Sequence, residues 1–188
     1  RGSACPVKVF VDTSVVLRKL FGERNALAEW SRIRTAYASR LLTVELGRVI
    51  DRCRLAGDID DADVEHLHRE GGRLLGSVDL FALGERVLAR AAGPMPTVLG
   101  SLDAIHLATA LELFARDRSL VLATHDGELA AAARGLGFPV LGVATLLRQA
   151  ADGTQKVFFY DFSGRLLAEY GNPQSGSTPY KIEYFVGQ

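Results

Sequence analysis

Apolar residues along this chain follow two habits. Some form short β-branched runs, and others recur every third or fourth position over longer stretches. VKVFVD (7–12) is of the first kind and predicts a buried strand ending in an acid. SVVLRKLFGE (14–23) and NALAEWSRI (25–33) predict helical segments broken near Gly22, and TAYAS (35–39) predicts a second short strand. From Leu42 to Ala56 the set Leu42, Leu46, Val49, Ile50 and Cys53 keeps helical spacing, with Gly57 where a helix stop belongs. Asp60 is placed to cap a helix through about Leu75, LFALGERVLARAA (80–92) predicts another, and GPMP (93–96) a loop. Ser101 is placed to cap a helix over 102–117. SLVLAT (119–124) has the plainest buried-strand pattern, followed by a helix over GELAAAARGLG, a final strand FPVLGV (138–143) and a closing helical turn ATLLRQA (144–150). Strands alternating with helices predict an α/β fold with a mostly parallel sheet.

The pattern changes at Ala151–Gly153. Residues 153–188 hold eight of the fifteen aromatics, and alanine nearly vanishes. KVFFYDF, a Ser-Gly turn, RLLAEY and YKIEYFV read as β-hairpin material. Thirty-six such residues are too few for a core of their own, so the tail is expected to pack on its own domain or on a second copy. The expected organisation is a disordered or cloning-derived lead at 1–6, an α/β domain over 7–150 and an aromatic, β-rich tail over 151–188.

Composition narrows the function. A chain of 188 residues, 48% hydrophobic and 23% charged, has room for one substantial core, which excludes wholesale disorder. Lys plus Arg equals Asp plus Glu at 22 each, so any contact with nucleic acid comes from a local patch and not from an overall basic field. Arg supplies 18 of those 22 cations. Guanidinium forks suit phosphate oxygens, and a GC-rich coding sequence gives the same bias. Cys5 and Cys53 form no CxxC pair, which excludes a zinc ribbon or a disulfide framework. No uncharged stretch reaches the ~20 residues of a membrane span and no secretory leader is visible, so a soluble cytoplasmic protein without membrane association is expected.

Chemistry concentrates in acids. Asp12 follows VKVFV and Asp126 follows LVLATH, each at the end of a predicted parallel strand, where ligands of open α/β sheets bind. Asp103 and Glu45 are expected in first turns of helices that reach the same edge. The bland role for Asp103 and Glu45 is to favour a helix dipole, worth ~0.3–1 kcal/mol. Asp12 and Asp126 are harder to dismiss in this way, since Asp is a poor strand residue and each abuts an apolar core. Carboxylates within ~5 Å repel by roughly 3 kcal/mol per pair at an effective dielectric near 20, so a cluster either takes up protons or holds a hard divalent cation. Spacing alone leaves both outcomes open.

The successive segments VFVDTSVVL, TVELGRVIDR, LDAIHLATALEL and LVLATHDGELAAAARGLGFPVLG resemble, in order and spacing over about 7–148, the motifs of the PIN-domain family, specifically VapC-type toxin ribonucleases. The resemblance implies a PIN-like three-layer fold and a Mg²⁺- or Mn²⁺-dependent endoribonuclease that cuts RNA with metal-activated water. It also implies a cognate VapB-like antitoxin and a homodimer. By motif, Asp12, Glu45, Asp103 and Asp126 match the family's acidic metal-binding set, and Ser14 and Thr124 match its supporting hydroxyl residues. His106, one turn after Asp103, is expected to pack or hydrogen-bond and not to act as a base. His125 is expected to point away from its neighbour Asp126, and His66 and His68 to lie on the surface. Arg18, Arg48 and Arg52, on helices near Asp12 and Glu45, are candidates for RNA phosphate contacts, against a solvated helix face. FYDFSGRLLAEYG in the tail is similar to one unit of a YD, or Rhs, repeat.

Two other classes fit parts of the chain. A haloacid-dehalogenase-type phosphatase also places Asp after its first strand, but that pattern wants a second Asp where this chain has Ser14. A catalytically silent PIN-like module, assembling through its tail, is the other. Divalent-metal-dependent RNA cleavage separates it from the nuclease.

Overall fold

The computed structural model describes residues 7–143, 146–149, 155–160, 166–171 and 183–184. Five strands build a wholly parallel sheet: β1 (Val7–Val11), β2 (Ile33–Ser39), β3 (Val78–Phe81), β4 (Val121–Ala123) and β5 (Val140–Leu141). Their order is β3-β2-β1-β4-β5. The chain therefore moves outward from β1 on one side and then returns to β1's other side with β4. That reversal opens a crevice between the carboxyl ends of β1 and β4.

Alternation along β1 divides the core into two layers. Val9 and Val11 point to one face, against α1 (Thr13–Leu20), α2 (Leu41–Ala56) and α3 (Asp61–Gly76), through Val15, Val16, Leu42, Leu46, Ile50 and Leu67. Phe10 points to the other, where Leu107, Ala110 and Phe114 of α5 (Ser101–Phe114) meet Leu129, Ala132 and Ala133 of α6 (Gly127–Gly135). Helices on both faces of a parallel sheet make three layers, as the strand–helix alternation predicts. Asp60 caps α3 through a reciprocal capping box with Asp63, and Gly57 ends α2 in the left-handed conformation.

Several local readings need correction. The span 80–92 is not one helix: Val78–Phe81 pairs in parallel with Ala36–Ser39 as an edge strand, and α4 (Glu85–Ala91) starts only after Gly84. The segment at 25–33 forms a single 3-10 turn, Ala28–Arg32, before β2. Gly100, not Ser101, is the cap residue of α5, and no side chain caps it. Glu45 is the fifth residue of α2 and so belongs to its second turn, not its first.

The closing helix expected at 144–150 is also absent where the chain is described. Leu146–Gln149 is strand β6, antiparallel to β7 (Gln155–Tyr160), with β8 (Leu166–Gly171) and β9 (Glu183–Tyr184) continuing a four-stranded sheet. Partners from ten residues downstream decide that conformation. The hairpin expected in the tail is present as β7 and β8. The lead at 1–6 and the rest of YKIEYFV lie outside the described residues. Among the described residues, no helix is long and apolar enough to cross a membrane.

Candidate active site

Asp12 leaves β1 and caps α1 in one step. Its backbone N–H donates to Ala123 O of β4 (2.9 Å), tying it to the crevice. Its carboxylate Oδ2 accepts from Ser14 N (3.3 Å), Ser14 Oγ (2.6 Å) and Thr124 Oγ1 (3.0 Å). The same hydroxyls accept from the opposite strand end: His125 N donates to Ser14 Oγ (3.0 Å) and Asp126 N to Thr124 Oγ1 (2.9 Å). Asp126 in turn caps α6, with Oδ1 accepting from Leu129 N (2.7 Å). Ser14 and Thr124 thus lace the two strand ends together.

Glu45 is held from two other elements. Thr13 Oγ1 donates to Glu45 Oε2, and His106 Nε2 lies 2.6 Å from the same oxygen. His106 has only 1% of its side chain exposed and stacks edge-on with the Phe10 ring at 6.5 Å between centroids. It bonds and packs, as expected, with no access to solvent. Asp103, in the first turn of α5, completes the set: Asp12, Glu45, Asp103 and Asp126 all line one open cleft of about 370 Å³.

Electrostatics mark this as a crowd of acids. Burial, then the charges of Asp126 and Asp12, push the Asp103 carboxyl up to about 6, against an opposing pull from His106 that exceeds the small upward push of Glu45. Asp126 is raised by burial and by Asp12, against the backbone N–H groups of Leu129 and Glu128. For Glu45 burial works upward too, but the bonds from His106 and Thr13 outweigh it and hold the carboxyl below its usual range. His106 shows the converse: burial lowers it, while the Glu45 bond and the nearby carboxylates raise it further. Its Nδ1 is buried and finds no partner, so the proton this pocket satisfies is the one on Nε2.

Cations are sparse around these acids. Arg48 and Arg52 line the cleft, but Arg48 is engaged by Asp51 at 2.9 Å. Arg18 is placed away from the cleft lining, its side chain 11% exposed and paired with Glu23 at 3.7 Å. His125 points elsewhere, its Nδ1 donating to Gly142 O (2.7 Å), and His66 and His68 are exposed. Four carboxylates lining one cleft, with no matching set of cations among the described residues, suit a hard divalent ion. As placed, no three acids, histidines or cysteines among the described residues form a closed ligand group. The donor chemistry, all carboxylate oxygen, fits such an ion. Thr13 is the site residue that sequence reasoning missed. Its signal was a second hydroxyl beside Ser14, directly after the strand-end acid.

The chain is similar to known proteins over most of its length. A profile described as "PIN domain" matches residues 9–135. The chain is 31% identical over 136 residues to Ribonuclease VapC46 of Mycobacterium tuberculosis, covering 71% of this chain and 95% of that one. It is 31% identical over 137 residues to Ribonuclease VapC47 of the same species, covering 69% and 93%. Among solved structures, a toxin-antitoxin complex from Klebsiella pneumoniae aligns with a TM-score of 0.51 at 18% identity, over 71% of this chain and 97% of that one. VapBC2 from Rickettsia felis, bound to a DNA fragment from its promoter, aligns with a TM-score of 0.50 at 10% identity over the same shares. At those identities the two structures speak for the fold alone.

Proposed function

This chain belongs to the PIN-domain family, and from that premise we propose that it is a divalent-metal-dependent endoribonuclease, the toxin of a toxin–antitoxin pair. The observation that carries the reading is one cleft that Asp12, Glu45, Asp103 and Asp126 all line, with Asp103 pushed up to about 6 by burial and then by the neighbouring carboxylates. Asp12, Asp103, Glu45 and Asp126 are the residues that hold the ion, Mg²⁺ or Mn²⁺ by their all-oxygen character. When bound, such an ion neutralises charge at phosphorus and makes a water acidic enough to attack it.

The chain's own residues do the rest. Ser14 and Thr124 fix Oδ2 of Asp12, so this carboxylate cannot swing. Arg48 and Arg52 stand at the cleft wall, where guanidinium forks meet the phosphates flanking the cut. An RNA strand needs an open groove, and the cleft is open. Val44 (58% exposed) and Leu102 (48% exposed) line the same cleft, an apolar border suited to a VapB-like antitoxin that covers the acids.

One test decides the chemistry. Purified protein should cut single-stranded RNA only when Mg²⁺ or Mn²⁺ is supplied, leaving 5′-phosphate and 3′-hydroxyl ends. Cleavage that survives excess EDTA, or ends carrying a cyclic phosphate, rejects the reading. A silent binding module is the second reading, favoured by the lack of a closed ligand group among the described residues. It predicts no cleavage under any metal.

A further inference from the structure

Among the described residues, Glu45 is gripped by one oxygen only. Both of its side-chain hydrogen bonds fall on Oε2, from Thr13 Oγ1 at the start of α1 and from His106 Nε2 on α5. Thr13 Oγ1 also lies 3.3 Å from His106 Nε2, so the three groups close a triangle. His106 is 1% exposed and closed to substrate, whereas Thr13, 7% exposed, lines the cleft with its hydroxyl committed to Glu45. The neighbouring hydroxyl, Ser14, does the equivalent for Asp12, binding Oδ2. Two successive residues of α1 therefore each take one oxygen of a different carboxylate. An oxygen already accepting two short hydrogen bonds has no lone pair well placed for a cation.

We propose that His106 and Thr13 are positioning residues that clamp Glu45 by Oε2, so that Glu45 meets the divalent ion through Oε1 alone. The proposal rests on the metal-dependent reading above and names what orients one of its ligands. Helix α5 then serves the site twice, presenting Asp103 to the cleft and, one turn later, holding Glu45 from behind. His106 itself touches neither RNA nor metal.

The test reads metal binding and not cleavage. Mn²⁺ is titrated into the full-length protein and followed by the loss of the free-ion signal in electron paramagnetic resonance. His106→Leu and Thr13→Val remove the donors while keeping bulk. Each should weaken Mn²⁺ binding by about 10–100-fold, the usual consequence of losing a group that orients a metal ligand. His106→Gln, whose amide can donate from near the Nε2 position, and Thr13→Ser should stay within about threefold of wild type, a rescue that a mere packing role does not give. Melting in chelator identifies variants that fail to fold, and Thr13→Val carries the test if His106→Leu is one of them. Wild-type affinity in folded His106→Leu or Thr13→Val, alongside lost binding in Asp12→Asn, overturns the clamp and leaves the metal reading standing. No Mn²⁺ binding by the wild type overturns both.

Discussion

Replacing Asp103 by Asn should make this protein more stable and less active at once. The rise of the Asp103 pKa from 3.8 to about 6 corresponds to at most ~3 kcal/mol against the charged form. Asp103 is only partly buried, and solvent screening leaves ~1–2 kcal/mol of that. The acid also favours the start of α5, a benefit of ~0.3–1 kcal/mol that Asn forgoes. The net gain is therefore about 1 kcal/mol at neutral pH, or a melting temperature higher by roughly 2–4 °C for a chain of this size.

The pH dependence has a definite sign. Between 3.8 and about 6 the folded state holds the Asp103 proton while the unfolded state has released it. Wild-type stability from this group falls as pH rises through that window, and the penalty is complete above it. Melts in chelator at pH 7.5 and pH 4 should show the Asn variant ahead only at the higher pH. Adding Mn²⁺ at pH 7.5 should raise the wild type and narrow the gap. Equal melting at pH 7.5, or an advantage that persists undiminished at pH 4, would show that Asp103 feels no such crowding.

Three further outcomes test the geometry. A Cβ at Gly100 would stand 3.0 Å from Asp103 Oδ2, so Gly100→Ala should displace that carboxylate and cost on the order of tenfold in Mn²⁺ affinity, with melting little changed. Gly142 has φ +91°, and a Cβ there would lie 2.5 Å from Thr124 O. Gly142→Ala should therefore lose at least ~2 kcal/mol in urea unfolding, and a loss below ~0.5 kcal/mol would contradict the close approach. Truncation after Val143, which removes the antiparallel sheet whole, should preserve metal-dependent RNA cleavage while altering solubility or oligomeric state. A folded but inactive truncation would place the tail in the active machinery.

The sheet and its flanking helices were legible because the strands β1 and β4 are largely apolar, β-branched or aliphatic runs and the helices carry clear stops, such as Gly57, and clear caps, such as Asp60. What misled was structure fixed by distant partners. Val78–Phe81 looks like the first turn of the helix that follows, and only pairing with β2 makes it a strand. Leu146–Gln149 likewise owes its conformation to β7. In the site, Asp12 and Asp126 stand out because Asp is a poor strand residue, although each also caps the helix that follows it. Thr13 does not stand out. Its function depends on Glu45, 32 residues away, and on His106, 93 residues away, and no local spacing records such a meeting.

Asp12 and Asp126 each start a helix as well as facing the cleft, and the two duties tolerate different replacements. Starting a helix asks only for a short side chain with an acceptor oxygen, which Asn offers as well as Asp. Holding a cation asks for the charge. On the proposed mechanism, a single-base change from an Asp codon to an Asn codon would therefore end the chemistry and leave the architecture whole. A lineage burdened by a harmful nuclease has in these two positions a short route to a decoy, inert toward RNA yet still presenting every surface by which its neutraliser knows it.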